Sequence, residues 1–294
     1  MTAGPLASPG VVVTGAARGI GRAIATRLVA EGARVVVNDL DEDELHVVAQ
    51  QLGAFAVPGD AASAEGVESL VEAASGHLGR IDVFFANAGI GLLSGLDTPD
   101  EEWARIIEVN LMSHVRTART LVPRWLEQGG GRLVITASAA GLLTMLGDAP
   151  YSVTKHGAVA FAEWLSATYR HRGIVVQVLC PQGVQTRMLE ESGPFQELLS
   201  HDEALTPEAV ADTVWRALQT DHLLILPHRE VRDYYAFRAT RTDQWLIGMN
   251  RLQQRVERAG EHDPLAPGSA GADGGSRPIQ DPPNQDPPNQ GEIA

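Results

Sequence analysis

Three residues of types that often carry proton chemistry stand close together in this sequence. Tyr151 follows Ser138 by thirteen residues, and Lys155 lies four residues beyond Tyr151. Positions four apart on an α-helix share one face, so the ammonium group of Lys155 is expected near the phenol of Tyr151. Free tyrosine titrates near pH 10, and lowering its pKa by about three units requires roughly 4 kcal/mol of preferential phenolate stabilisation. With stabilisation of its phenolate by the ammonium group of Lys155, Tyr151 is predicted to act as a general base toward an alcohol or a general acid toward a ketone.

Ser138 is the partner that makes this pair a candidate site. It is predicted to end the fifth strand, and its hydroxyl would hold a substrate oxygen while charge develops there. Taken alone, a tyrosine four residues before a lysine is also typical of a solvated pair on a helix surface. The position of the pair after a strand-end serine favours the catalytic interpretation.

A glycine-rich turn follows the first predicted strand, in the order Thr14-Gly15-Ala-Ala-Arg18-Gly19-Ile20-Gly21. Gly15 would permit the tight turn, Gly19 would let the backbone approach a pyrophosphate, and Gly21 would allow close packing of the helix on the sheet. The phosphates would lie at the amino terminus of the helix, where free amides and the macrodipole favour an anion. By itself, such a turn also fits any loop that needs left-handed residues.

Asp39 lies at the end of the second predicted strand, eighteen residues after Gly21. A carboxylate there can accept hydrogen bonds from the adenosine ribose and repel a phosphate on the same ribose, which favours NAD over NADP. Arg18 favours NADP, because its positive charge could bind the ribose phosphate. An exposed arginine, however, contributes less binding free energy than a buried contact between like charges costs. Alternatively, Asp39 only caps the following helix, a role that Asp41 could also serve.

The elements that position these residues alternate regularly along the chain. Short β-branched runs predict strands at 11–13, 34–38, 54–57, 83–85, 132–136, 175–179 and 223–226. Apolar residues at helical spacing predict helices that begin near Gly19, Asp41, Ala64, Glu101, Asn110, Tyr151 and Pro207. The alternation predicts an α/β Rossmann-type fold: a doubly wound, parallel, seven-stranded sheet with helices on both faces, in a single domain.

Composition divides the chain into four segments. We predict a flexible amino terminus at 1–10, the catalytic domain at 11–228 and a helical extension, rich in aromatic and charged residues, at 229–259. Residues 260–294 are rich in Pro and Gly and end in a tandem Asp-Pro-Pro-Asn-Gln repeat, which is typical of a disordered tail. A partner-binding peptide is the less favoured interpretation of that tail.

Charge and residue usage narrow the classes of function. The net charge of −14 disfavours nucleic acids and anionic membranes as partners and leaves small-molecule chemistry. Cys180 is the single cysteine, and no cluster suggests a metal, so neither a disulfide nor a metal site is expected. The sequence shows no export signal and no run of eighteen apolar residues. A soluble cytoplasmic protein is therefore expected.

Together these motifs resemble the classical short-chain dehydrogenase/reductase (SDR) family, over the chain from Val11 to about Leu226. The resemblance implies an oxidoreductase with an NAD(P)-binding Rossmann fold. Asp60, with Ala61 beside it, is similar to the acid that meets the adenine amino group. Asn87-Ala88-Gly89 resembles a motif that stabilises the sheet and lies along the cofactor. Asn110 falls where the family has a helix-embedded asparagine, so the implied tetrad is Asn110, Ser138, Tyr151 and Lys155.

The resemblance also assigns roles to further residues. Tyr151 is the acid/base and Lys155 grips the nicotinamide ribose. Implied cofactor contacts extend from the glycine turn (Gly15, Arg18, Gly19, Ile20, Gly21) to the loop after the sixth strand (Pro181, Val184, Thr186). Gln182 departs from the family pattern because it replaces a glycine of that loop. By the same resemblance, a homodimer or homotetramer is expected.

The substrate is expected to be a secondary alcohol or ketone, and the residues near the candidate site indicate the kind of pocket that would hold it. Leu142, Leu143, Met145 and Leu146 after Ser138, and Met188, Leu189 and Phe195 after Thr186, predict an apolar pocket beneath a mobile segment from about 188 to 205. Alternatively, these side chains pack on each other or on a second subunit. Two other functions stay open: a cofactor-binding scaffold or sensor without turnover, and an NADP-dependent ketoreductase.

Overall fold

The computed structural model describes residues 8–190 and 204–261. Its core is a seven-stranded parallel sheet in the order β3-β2-β1-β4-β5-β6-β7, which confirms the predicted fold class. The strands are β1 Gly10–Thr14, β2 Arg34–Asn38, β3 Phe55–Ala56, β4 Val83–Ala86, β5 Gly131–Thr136, β6 Ile174–Leu179 and β7 Leu224–Ile225. The two edge strands are shorter than predicted, and β1 begins one residue earlier.

The helices that connect and cover the strands are α1 Gly19–Ala30, α2 Glu42–Leu52, α3 Ala64–Leu78, α4 Asp100–Ile107, α5 Ser113–Glu127, α6 Ala140–Leu143, α7 Ala149–Tyr169, α8 Arg187–Glu190, α9 Pro207–Ala217, α10 Glu230–Thr240 and α11 Thr242–Glu261. The short helices α6 and α8 were not predicted. Each spans a single turn, too short to show an apolar period in the sequence.

The prediction that a helix begins near Asn110 is wrong. Asn110 lies inside a π-helical turn, Glu108–Met112, that joins α4 to α5 without a break. The periodicity changes there because the turn holds one extra residue, and this change looks like a new helix start in the sequence. Such turns are often found at functional sites.

Two apolar cores cover the two faces of the sheet. One contains side chains of α3, α5 and α7, with Leu70, Leu121 and Trp125 fully buried. The other contains side chains of α1, α2 and α9. The strands themselves are nearly continuous Val, Ile, Leu and Phe because both of their faces are covered. This rigid sheet fixes the positions of the loops at its carboxyl edge.

The strand order reverses between β1 and β4, so the loops after these two strands diverge and leave a crevice. A cleft of about 2620 Å³ opens there along the carboxyl edge of the sheet. It is lined by residues of the glycine-rich turn, of the loops after β2 to β6, and of α10 and α11. This is the region in which parallel α/β sheets bind ligands.

Some predictions concern residues that the structure does not describe. Residues 1–7 of the predicted flexible amino terminus, 191–203 of the predicted mobile segment, and 262–294 of the predicted tail lie outside the described residues. Among the helices within 8–190 and 204–261, none has the length and apolar character needed to cross a membrane. The same ranges contain no group of three or more His, Cys, Asp or Glu arranged to hold a metal ion.

Candidate active site

The glycine-rich turn forms a close-packed cradle at the start of α1. Gly15 has a φ of +64°, in the left-handed region that a side chain disfavours. A Cβ added to Gly21 would lie 2.1 Å from the carbonyl oxygen of Gly15, so only glycine allows this approach of helix to strand. Gly19 faces the side chain of Thr186, 3.3 Å from where its own Cβ would be. Free backbone amides at the amino terminus of α1 therefore face the cleft, as a pyrophosphate requires.

Asp39 is tied to this turn directly. Its Oδ2 accepts a hydrogen bond of 3.0 Å from the amide of Ala17, and its Oδ1 accepts one of 3.1 Å from the amide of Asp41. Asp41 is the residue that caps α2, so the alternative in which Asp39 is only a helix cap is wrong. Arg18 forms an ion pair with Asp41. The carboxylate of Asp39 thus stands at the position where the adenosine ribose of a bound dinucleotide is expected, with the Arg18–Asp41 ion pair nearby.

The next two loops complete the adenine side of the cleft. Asp60 is exposed on the cleft wall, and its Oδ1 accepts a hydrogen bond of 2.8 Å from the amide of Ala62, while Ala61 is buried beneath it. Asn87 links three strands: its Nδ2 donates to the carbonyl of Thr14 at 3.0 Å, and its Oδ1 accepts from the hydroxyl of Thr136 at 3.0 Å. These contacts hold the loop of Ala88 and Gly89 along the cleft.

Ser138, Tyr151 and Lys155 come together at the centre of the cleft. The Nζ atom of Lys155 lies 5.4 Å from the centre of the Tyr151 ring, and the side chain of Ser138 is close enough to the Tyr151 hydroxyl to lower its pKa in part. Lys155 is buried, and its Nζ donates to the carbonyl of Thr136 at 3.0 Å. The predicted proximity of the phenol and the ammonium group is therefore present.

Asn110 holds the loop above these groups. It is fully buried; its Nδ2 donates to the carbonyl of Ile90 at 2.8 Å, and its Oδ1 accepts from the amide of Ile90 at 2.9 Å. A Cβ on Gly89 would lie 3.2 Å from Oδ1 of Asn110 and 3.3 Å from Nζ of Lys155. The fourth predicted residue thus lies beside the other three, separated from Lys155 by little more than a glycine.

Burial sets the protonation of the cluster. It raises the pKa of Tyr151 to about 12, although the hydrogen bond to Ser138 lowers it in part. It also lowers the pKa of Lys155 to about 8. At neutral pH the pair is a neutral phenol beside a cationic amine. The arrangement can donate a proton as it stands, and further positive charge in the cleft would make it a better base.

The loop after β6 carries the predicted nicotinamide contacts, and His228 braces it. Pro181 and Val184 are buried, and the hydroxyl of Thr186 donates to the carbonyl of Val184 at 3.1 Å. The amide of Gln182, the residue that departs from the family pattern, donates to Nδ1 of His228 at 3.1 Å. Nε2 of the same ring contacts the carbonyl of Gly183 at 3.1 Å. The loop therefore keeps a defined path without the usual glycine.

Sequence reasoning missed two residues that shape the site. His228 follows β7 and is buried, but nothing near it in the sequence indicates its contact with a loop after β6. Asp148 caps α7 by accepting from the amide of Tyr151 at 3.0 Å, and it also accepts from the amides of Leu92 and Leu93. The Asp-Ala-Pro run before Tyr151 is a helix-start signal that predicts the cap but not the loop contacts.

The apolar side of the cleft agrees with its predicted lining only in part. Leu143, Met145, Leu146, Met188 and Leu189 line the cleft. Leu142 does not, because it is only 1% exposed and packs in the core between α6 and α7. Phe195 lies outside the described residues. The sequence did not indicate that side chains of α10 and α11 also line the cleft.

The fold and the site define a dinucleotide-dependent enzyme, and comparison with known proteins identifies its family. The family model described as short chain dehydrogenase matches residues 10–197. The chain belongs to the short-chain dehydrogenase/reductase family. It is an oxidoreductase that acts on CH–OH groups with a nicotinamide cofactor.

Two curated relatives and one solved structure are similar over most of the chain. A 1-deoxy-11-beta-hydroxypentalenate dehydrogenase of Streptomyces exfoliatus is 38% identical over 75% of this chain and 83% of its own. A (-)-trans-carveol dehydrogenase of Rhodococcus erythropolis is 34% identical over 70% of this chain and 83% of its own. A short-chain dehydrogenase/reductase of Burkholderia phymatum, solved in complex with NAD, has a TM-score of 0.75, 26% identity and coverage of 82% and 96%.

Proposed function

We propose that this enzyme oxidises an apolar secondary alcohol with NAD, with Tyr151 as the general base, and catalyses the reverse reduction with the same residue as general acid. The observation that carries the proposal is the contact of Tyr151 with Ser138 and Lys155 on the floor of a cleft that begins at a glycine-rich turn. The catalytic domain is 11–228, and 229–259 extends it. The enzyme works in the cytoplasm, where its single buried thiol, Cys180, stays reduced.

Each residue of the site has a separate role in the proposed oxidation. The side chain of Ser138 binds the substrate oxygen and orients it toward the Tyr151 hydroxyl. The Tyr151 phenol first loses its proton to solvent, which positive charge in the cleft promotes, and the phenolate then removes the hydroxyl proton while negative charge develops on the substrate oxygen. Lys155 stabilises the phenolate through its charge, which is effective because the group is buried. Asn110 fixes the loop over Lys155 and so keeps the ammonium group in place.

The cofactor fits the cradle because the residues that a side chain would obstruct are glycines. Gly15, Arg18, Gly19, Ile20 and Gly21 hold the pyrophosphate, and Pro181, Val184 and Thr186 hold the nicotinamide end. A bound NAD would supply the acceptor for the hydride of the carbinol carbon. Lys155 also binds the nicotinamide ribose, and the loop Asn87-Ala88-Gly89 lies along the cofactor. Asp60 and Ala61 contact the adenine.

The preference for NAD over NADP is attributed to Asp39. Its carboxylate is fixed by two backbone amides, so a ribose phosphate beside it would meet a negative charge. Arg18 cannot offset this freely because it is already paired with Asp41. Loss of hydrogen bonds to a charged group costs about 1.5–3 kcal/mol, which corresponds to roughly 10- to 100-fold in affinity.

The substitution Asp39→Asn should lower the ratio of NADPH to NADH dissociation constants by about 10- to 100-fold. Asparagine keeps an acceptor for the amide of Asp41 but removes the charge. Titration of nicotinamide fluorescence with NADH and with NADPH measures the ratio. Asp43→Asn, which removes an exposed charge from the first turn of α2, is the matched control. Equal ratios in the wild type and Asp39→Asn would contradict the assignment.

The substrate is proposed to be a bulky apolar alcohol. The relatives are named as dehydrogenases of a hydroxypentalenate and of carveol. The lining of Leu143, Met145, Leu146 and Leu189 suits such a skeleton, since apolar surface removed from water contributes about 25 cal/mol per Å².

We also propose a homodimer or homotetramer. Val153 and Trp164 on α7 are 55% and 57% exposed, which is unusual for large apolar side chains on one helix of a monomer. Light scattering should give a solution mass of at least twice 31.4 kDa. A strictly monomeric mass at micromolar concentration would contradict this proposal.

A further inference from the structure

Helix α11 forms a wall of the cleft that the family resemblance does not explain. It packs mainly against α10, and its Trp245 contacts Tyr234 and Phe237, with ring centres 6.3 and 6.4 Å apart. Helix α10 in turn packs against α6, the turn that follows Ser138. The Trp245 end of α11 is therefore anchored near the catalytic cluster, and the helix extends away from it along the cleft.

One face of α11 is apolar and turned toward the cleft. Trp245, Met249, Leu252 and Val256 are the partly buried apolar residues of the helix, and all four line the cleft. Their spacing of three and four residues places them on a single stripe. This stripe, which we name the α11 wall, faces the side of the cleft where the substrate skeleton would extend.

Gly248 interrupts the α11 wall with open space. A Cβ added there meets no atom within 4 Å among the described residues. Glycine inside a helix costs about 0.5–1 kcal/mol relative to alanine, and this one has no close backbone contact that requires it. The space it leaves lies between Trp245 and Met249 along the helix, on the side that lines the cleft.

Arg255 provides a cation at the far end of the α11 wall. Five other arginines line the cleft: Arg18, Arg22, Arg27 and Arg105 each form an ion pair with a carboxylate, and Arg187 also has a partner. The Arg255 side chain has no ion pair or hydrogen bond within the described ranges 8–190 and 204–261. An α-helix rises about 15 Å from Trp245 to Arg255, and the side chain of Arg255 leans back toward the amino terminus of the helix.

We propose that the α11 wall binds the apolar body of a hydroxy or keto acid, and that Arg255 binds its carboxylate remote from the reacting carbon. The proposal rests on the proposed function, since it places the reacting carbon of the substrate at Tyr151. A chain with a net charge of −14 repels anions in general, so a local cation is needed to accept one. A guanidinium suits a carboxylate because it can form two parallel hydrogen bonds.

The test compares 11-hydroxydodecanoate, its methyl ester and 2-dodecanol as substrates, by the rate of NADH formation. In the wild type, kcat/KM for the acid should exceed that for the ester. Arg255→Gln should lower the acid-to-ester ratio about tenfold, the effect of one charge-assisted contact. Arg251→Gln is the matched control, because Arg251 is exposed on the same helix but does not line the cleft. It should leave the ratio unchanged.

A second variant tests whether the α11 wall binds the apolar body of the substrate. Gly248→Phe fills the open space and should raise KM for all three long probes several-fold, while NADH affinity and the rate with 2-butanol stay as in the wild type. Equal acid-to-ester ratios in Arg255→Gln and the wild type, or a better rate with 2-dodecanol than with the acid, would overturn the carboxylate assignment. No oxidation of any probe by a wild type that binds NADH would instead contradict the proposed function.

Discussion

Replacement of Tyr151 by phenylalanine should lower kcat for oxidation of a secondary alcohol by about 10²- to 10⁴-fold, the range that general acid–base catalysis supplies. In the proposed reaction the phenol is the group through which the reacting proton leaves, and phenylalanine fills nearly the same volume without the hydroxyl. Because the ring stays, the packing over Lys155 should also stay. Steady-state formation of NADH at 340 nm measures the loss.

Cofactor binding and a second tyrosine control this experiment. The affinity for NADH should change by less than about twofold, because loss of the general base leaves binding of the cofactor largely intact. Nicotinamide fluorescence measures this affinity. Tyr169→Phe, at the other end of the same helix, should keep wild-type kcat. A Tyr151→Phe enzyme that retains full kcat would show that another group moves the proton.

The second large effect concerns Lys155, whose amine should titrate near pH 8 in the enzyme without cofactor because burial lowers its pKa to about 8. Lys155 is the only lysine of the sequence, so protein labelled with ε-¹⁵N-lysine gives a single side-chain signal. The chemical shift of that signal against pH gives the pKa directly. A midpoint at 10 or above would contradict the burial that the structure shows.

The lowered pKa has a consequence for stability. In the unfolded chain the amine titrates at 10.5, so between pH 8 and 10.5 the unfolded state binds a proton that the folded state lacks. The free energy of unfolding therefore rises with pH across this window, and the full penalty, about 3 kcal/mol by linkage, is present below pH 8. The charge that Lys155 is proposed to offer a phenolate therefore comes at the expense of the stability of the fold.

Lys155→Met removes that penalty and should be more stable than the wild type at pH 7 by about 2 kcal/mol, after loss of a hydrogen bond worth about 1 kcal/mol. Urea denaturation at pH 7 and at pH 10.5 measures the free energy of unfolding with the wild-type amine charged and with it neutral. The advantage should disappear at the higher pH, where the wild-type amine is neutral, and kcat should fall at either pH. A variant less stable than the wild type at pH 7 would contradict this account.

Much of the fold follows from local pattern in the sequence. The β-branched runs, the glycine turn and the Tyr151–Lys155 spacing are consequences of short-range rules, and the structure contains each of them. The start assigned to a helix at Asn110 was wrong because an inserted π turn shifts the apolar period without ending the helix. Leu142 was misplaced because a single turn of helix, α6, rotates it into the core.

The remaining parts of the site depend on contacts between distant segments. His228 reaches a loop more than forty residues earlier, and Asp148 binds amides more than fifty residues earlier. The position of α11 along the cleft depends on the packing of α10 against α6, which no local pattern sets. A single sequence therefore predicts which candidate catalytic residues lie together better than it predicts the residues that hold them in place.

The most direct test of the proposed reaction follows the hydrogen that leaves the alcohol. The wild type and Tyr151→Phe are incubated with NAD and 2-dodecanol deuterated at the carbinol carbon, and the NADH formed is examined by mass spectrometry. The wild type should produce NADH that carries the deuterium, and Tyr151→Phe should produce almost none in the same time. Unlabelled NADH from the wild type, or equal labelled product from both proteins, would contradict hydride transfer assisted by Tyr151.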